Sequence, residues 1–137
     1  GNAEILKRLL QVKSNIDSGH FQSVYDAGVV ALDETTSDWI RERNKVYQRR
    51  RDLIMEVLQS IGLRASRALG SLYIWAQTLD MDGARYVQMA LEGAHVAFAP
   101  GAAYGPGGEQ FIRISLGIAD NRLIEALDRL KHWYQSQ

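Results

Sequence analysis

Apolar residues in the first part of the chain recur at helical spacing. Ile5, Leu6, Leu9 and Leu10 form one stripe after Asn2, whose side chain suits a helix N-cap. Ser18-Gly19 interrupts the stripe, and a second helix is expected over about 21–32, with the small residues Ala27, Gly28 and Ala31 beside Val24. Glycine costs a helix about 1 kcal/mol relative to alanine, so close helix packing is the expected reason for Gly28. Thr35, Thr36 or Ser37 can cap a third helix that ends near Gly62, with Ile40, Val46, Tyr47, Ile54, Val57, Leu58 and Ile61 inward. Its roughly 24 residues would span ~36 Å, more than a small domain requires.

After Gly62 the period shortens. Segments 63–66 and 72–77 are predicted strands around a turn at Gly70. Asp82 is placed to cap a helix through Ala84, Val87, Met89, Ala90 and Leu91, closed by Gly93. Segments 96–99 and 110–116 are predicted strands, and Asp120 is placed to cap a last helix through Leu123, Ile124, Leu127, Leu130 and Trp133. The order β-β-α-β-β-α predicts an α+β fold in which helices cover one face of a small mixed sheet. The expected division is a helical arm, 1–35, followed by an α+β domain, 36–137, that opens with the long helix.

One charge interrupts the last predicted strand: Arg113, between Phe111-Ile112 and Ile114-Ser115-Leu116. Such a strand is expected to be largely buried, where an unpaired guanidinium is costly. Arg113 therefore has either a permanent acidic partner, with Glu109 near in sequence, or an anion supplied by a ligand. Its planar fork suits a carboxylate.

Other candidates read as structural. Gly101, Gly105, Gly107 and Gly108 form a tight loop, without the GxGxxG or Walker pattern and helix start of a phosphate cradle. Arg49-Arg50-Arg51 point in different directions on a helix, so salt bridges to neighbours such as Asp52 and Glu56 are expected rather than a shared anion. His20, His95 and His132 lack metal-ligand spacing. Tyr73, Trp75, Tyr86 and Phe111 are expected in the core, and Tyr104, in the loop, near a ligand.

Composition narrows the partners. The chain has 137 residues, with 16 basic and 16 acidic side chains and no cysteine. Balanced charge gives no footprint for nucleic acid or an anionic membrane. Without cysteine there is no disulfide or thiolate chemistry. No apolar run approaches the ~20 residues of a membrane helix, and a cytoplasmic protein is expected.

The segment Pro100-Gly101, Tyr104-Gly105, Gly108-Glu109 and Phe111-Ile112-Arg113-Ile114-Ser115 resembles a motif near the C-terminus of fold-type I, class I and II aminotransferases, which depend on pyridoxal phosphate. In that family it runs Pro-Gly-x-x-aromatic-Gly-x-x-Gly-Glu-x-aromatic-aliphatic-Arg-aliphatic-Ser. Tyr47-Gln48-Arg49-Arg50-Arg51-Asp52, Gly70-Ser71-Leu72-Tyr73-Ile74-Trp75, Phe21-Gln22 and Gly1-Asn2 extend the resemblance over essentially the whole chain. Arg67-Ala68-Leu69 departs from the family's usual proline before Gly70, and Tyr104 stands where Phe is usual. Segment 13–22 looks most like the LL-diaminopimelate aminotransferase group.

The resemblance implies an amino-acid aminotransferase in which Arg113 binds the substrate carboxylate and Tyr104 lies close by. It also implies amino-acid and 2-oxo-acid substrates, a homodimer, and a long helix that bridges two domains. In the family the Schiff-base lysine and the cofactor's other contacts precede the Gly-Asn. The chain is therefore expected to be a C-terminal piece that depends on a missing large domain and is inactive alone, with no cofactor bound. Lys7, Lys13, Lys45 and Lys131 are expected on solvated helix faces. The alternative is the ligand-sensing, aminotransferase-like domain of a transcriptional regulator.

Overall fold

The computed structural model describes every residue of the chain except Ser18, on which part of the expected break between the first two helices falls. The chain divides into two compact units, 1–40 and 41–137.

In the first unit, α1 (Ala3–Ile16) starts at Asn2, whose side chain accepts from the amides of Glu4 and Ile5 at 3.0 and 3.2 Å, as an N-cap does. α2 (Gln22–Glu34) follows, and neither helix has a buried residue. Gly28 has no neighbour within 4 Å of a Cβ placed there, so the close approach expected of it is not found among the described residues. Thr36 caps α3 (Ser37–Leu58), its hydroxyl accepting from the Trp39 amide at 3.2 Å. Ile40 is exposed, whereas Ile54, Val57 and Leu58 near the helix's end are buried.

In the second unit, a 3-10 turn (Gln59–Ile61) and Gly62, at φ 71°, reverse the chain into β1 (Leu63–Arg64). β2 (Tyr73–Thr78), α4 (Gly83–Ala94), β3 (Ala99–Pro100), β4 (Phe111–Ser115) and α5 (Asp120–Gln135) complete it. The sheet order is β1-β2-β4-β3, and every pairing is antiparallel, so the sheet of this α+β fold is not mixed as expected. The cause is topological. β2 and β3, joined through α4, do run the same way, but β4 lies between them as in a split β-α-β unit. Pro100, which cannot donate to a ladder, sits on the edge strand, where it is tolerated.

One face of the sheet supplies Ile74, Ala76, Ile112 and Ile114 to a core shared with Ile54 and Leu58 of α3, Tyr86 and Ala90 of α4, and Leu123, Leu127, Leu130 and Trp133 of α5. Leu91 and Ile124, expected inward, are 50% exposed. The buried Tyr86 hydroxyl donates to the Ile61 carbonyl at 2.7 Å, and burial, then Tyr134, pushes its pKa up. α4 ends not at Gly93 but at His95, which adopts the left-handed conformation at φ 55°. Gly93 lies inside the helix because a Cβ there would meet the Trp133 indole at 2.2 Å.

Asp120 does not cap α5. Ala119 holds the cap position without a side-chain bond, and the Asp120 carboxylate instead receives both Arg49 and Arg50 of α3. Arg50 Nε donates to Oδ1 at 2.6 Å, and its Nη1 donates to the Leu116 carbonyl at 3.0 Å. Two consecutive arginines thus converge on one carboxylate, contrary to the expected divergence, because their long side chains wrap toward the same helix start. Arg51 alone meets the expected neighbour, Asp52, and also donates to the Ala68 carbonyl at 2.9 Å. Among the described residues no helix is long and apolar enough to cross a membrane.

Two outcomes follow from this packing. A Cβ at Gly83 would lie 2.1 Å from the Phe111 carbonyl oxygen, a backbone atom that cannot swing aside. Gly83→Ala is expected to lower stability by about 1–3 kcal/mol, measured by urea unfolding. The hydrogen bond from Arg50, then that from Arg49, holds the Asp120 carboxyl below the usual carboxylate range. A depressed folded-state pKa contributes stability above the unfolded value of ~3.9 and loses it as pH falls through the folded one. Asp120→Asn should therefore melt below the unsubstituted chain at neutral pH, and the gap should close in acid.

Candidate functional site

Strand alternation places Arg113 on the sheet face opposite the core. Its neighbours Ile112 and Ile114 are buried, while Arg113 and Phe111 are half-buried and Ser115 is exposed. The strand is therefore not buried on both faces, and the expected burial of Arg113 is corrected to a half-exposed setting. The cost of an unpaired guanidinium falls accordingly, because water reaches it.

Register brings aromatic residues to the same face. Arg113 pairs across the ladder with Trp75 on β2 and Ala99 on β3, and Tyr73 pairs with Ser115. Tyr73 and Trp75 are each 40% exposed, not in the core, and of the aromatics expected there only Tyr86 is fully buried. The Arg113 Cζ lies 4.1 Å from the Tyr73 ring centroid and 4.6 Å from that of Tyr104. Both are cation–π distances. Trp75 stacks on Phe111, with centroids 5.4 Å apart and planes 13° apart, and meets Tyr104 edge-on at 5.8 Å.

The glycine loop delivers Tyr104 to this cluster. After β3 the chain makes a 3-10 turn, Gly101–Tyr104, and returns through Gly105 and Gly107 to β4. A Cβ at Gly101 would sit 2.3 Å from the Gly108 carbonyl oxygen, and one at Gly108 would sit 2.3 Å from that of Gly101. The two ends of the loop thus touch backbone to backbone, which only glycine permits. Glu109, the candidate partner for Arg113, accepts from the Gly107 amide at 3.3 Å instead. Among the described residues no ion pair involves Arg113.

Sequence reasoning singled out Arg113 and Tyr104 and missed Tyr73. The signal for Tyr73 was its position two residues before Trp75, hence on one face with it, but only the β2–β4 register shows that this face is also that of Arg113. A concavity of about 410 Å³ runs along α3 past Tyr47, Gln48 and Arg51 to Leu69 and Ser71. Arg51 is held there by Asp52 and the Ala68 carbonyl, which makes it a structural residue.

The described residues do not form a pyridoxal-phosphate site. Lys13 pairs with Asp17 at 2.5 Å and Lys45 with Glu42 at 2.7 Å, each on an exposed helix face. Lys7 is exposed on α1 and Lys131 is half-buried on α5. The glycine loop opens into no helix N-terminus that could cradle phosphate. No group of three or more His, Cys, Asp or Glu side chains suited to a metal occurs among the described residues.

Comparison with known proteins identifies the family. Residues 1–130 match the family described as aminotransferase class I and II. The chain is 39% identical over 132 residues to the LL-diaminopimelate aminotransferase of Moorella thermoacetica, covering 96% of this chain and 34% of that protein. The enzyme of the same name from Desulforudis audaxviator is also 39% identical over 132 residues, with 96% and 33% covered. Among solved structures, the aspartate aminotransferase of Rhizobium meliloti superposes with a TM-score of 0.83 at 31% identity, over 98% of this chain and 36% of that one. The chain thus spans about a third of the length of these relatives. A family match along nearly its whole length establishes that this chain belongs to the class I and II aminotransferases.

Proposed function

We propose that this chain forms the substrate-carboxylate end of an amino-acid aminotransferase, which moves an amino group between an amino acid and a 2-oxo acid with pyridoxal phosphate. The observation that carries the reading is the state of Arg113: a guanidinium on the solvent-facing side of the sheet, backed by two phenol rings and paired with no carboxylate among the described residues. Amino acids and 2-oxo acids share a carboxylate beside the reacting carbon. A fork that grips that group in two parallel bonds accepts both and orients the carbon. The names of the similar enzymes favour LL-diaminopimelate as the amino donor.

In this reading residues 1–35 are the end of a large domain and residues 36–137 the small domain. The Schiff-base lysine and the phosphate contacts come from polypeptide outside these 137 residues. The exposed apolar side chains of α1 and α2, such as Leu9, Leu10, Val29 and Leu32, are 58%, 62%, 58% and 86% exposed. These are the faces that the large domain, or a second subunit of a homodimer, covers.

In the intact enzyme, Arg113→Ala is expected to raise KM for LL-diaminopimelate by about 10- to 100-fold, the scale of a lost charge-assisted bond. Arg113→Lys, which keeps the charge but not the fork, should fall between. Unchanged KM in both variants refutes the clamp. Turnover by the unsubstituted intact protein also separates an enzyme from a ligand-sensing regulator. The 137 residues alone, mixed with pyridoxal phosphate and LL-diaminopimelate, are expected to add neither Schiff-base absorbance nor turnover to what the same mixture shows without protein, and either excess contradicts their dependence on the rest of the enzyme.

A further inference from the structure

We propose that Tyr73 and Tyr104 are positioning residues that hold the Arg113 guanidinium in place without neutralising it, so that its full charge is presented to the ligand carboxylate; this rests on the clamp reading above. The two rings reach the guanidinium from opposite flanks of β4. Tyr73 comes from β2, on one side, and Tyr104 from the turn after β3, on the other. Their centroids lie 4.1 and 4.6 Å from Cζ.

An acidic side chain would fix an arginine equally well, but it would occupy the N–H donors and cancel the charge. A ring attracts the cation through its quadrupole and leaves the charge uncancelled. An arginine free to sample its rotamers would have to be ordered each time a ligand binds, and that ordering weakens binding. Two rings at these distances order the guanidinium beforehand. They are themselves fixed. Tyr73 lies in a paired strand, and Tyr104 stands edge-on to Trp75, which is stacked on Phe111. The nearest acidic residue of the loop, Glu109, is turned to the Gly107 amide, which keeps this arrangement free of a competing carboxylate.

The test is a double-mutant cycle in the intact enzyme with LL-diaminopimelate as donor and 2-oxoglutarate as acceptor. Tyr73→Leu and Tyr104→Leu are each expected to raise KM for both substrates by about 3- to 30-fold, the range of a cation–π contact, while Tyr→Phe at either position stays within about twofold. In an Arg113→Ala background the leucine substitutions are expected to add nothing, because the tyrosines act only through the guanidinium. Tyr104, half exposed in the loop, supplies the cycle should Tyr73→Leu on its strand fail to fold.

Leucine variants with unchanged KM overturn the proposal, as do phenylalanine variants as impaired as leucine, or leucine effects that persist in full without Arg113. If Arg113→Ala alone leaves KM unchanged, the clamp reading itself fails, an outcome distinct from those three.

Discussion

A guanidinium held against aromatic rings and paired with no acid organises this molecule. A buried, unpartnered arginine would be too costly to keep, and a fully solvated one would be too mobile to select a ligand. Arg113 avoids both extremes. It stands half-buried on the outer face of β4, with Tyr73 and Tyr104 beside it. Each ring contact contributes about 0.5–2 kcal/mol at a half-buried site, small against a hydrophobic core but enough to bias one rotamer.

The rest of the second unit makes that face available. Because β4 lies between β2 and β3, its outward residues have a neighbouring strand on each side, and an arginine there can meet a side chain from either flank. The inward residues of the same strands, Ile74, Ala76, Ile112 and Ile114, are buried under the helices, and this fixes which side Arg113 occupies. A slip of one residue would exchange the two faces completely. Gly101 and Gly108 then bring the two arms of the loop into backbone contact and set Tyr104 above the strand. The carboxylate of Asp120, gripped by Arg49 and Arg50, ties the start of α5 to α3 just after β4 ends.

Much of this was legible in the sequence. The five helices, the four strand segments, the arginine within an apolar strand and the ring in the glycine loop all follow from periodicity, caps and turn residues. What was not legible depends on contacts between distant parts of the chain. Antiparallel pairing throughout, in place of a mixed sheet, follows from β4 inserting between β2 and β3, a choice of strand order that no local pattern encodes. Asp120 looks like a cap because it starts a helix, and only the proximity of α3 turns its carboxylate toward Arg49 and Arg50. His95 ends α4 in a conformation usually given to glycine, while Gly93 is needed two residues earlier for its lack of a side chain beside Trp133. Tyr86 lies in the core as expected, but Tyr73 and Trp75 do not, because composition alone does not distinguish the covered face of a sheet from the open one.

The two units differ in how they reach stability. The second has a continuous core that draws on three helices and both central strands. The first contains helices of 14 and 13 residues with no buried side chain, yet α1 carries a well-formed cap and an apolar stripe. Helices of that length are marginal in water on propensity alone. A cap of about 1 kcal/mol and exposed i,i+4 pairs such as Glu4–Arg8, worth about 0.3–0.5 kcal/mol, do not offset the ordering of so many residues. The stripe of Ile5, Leu6, Leu9 and Leu10 is the larger store of free energy, and it contributes only when another apolar surface removes it from water. The second unit thus packs on itself, whereas the apolar stripe of α1 stays exposed and contributes nothing to the order of its helix.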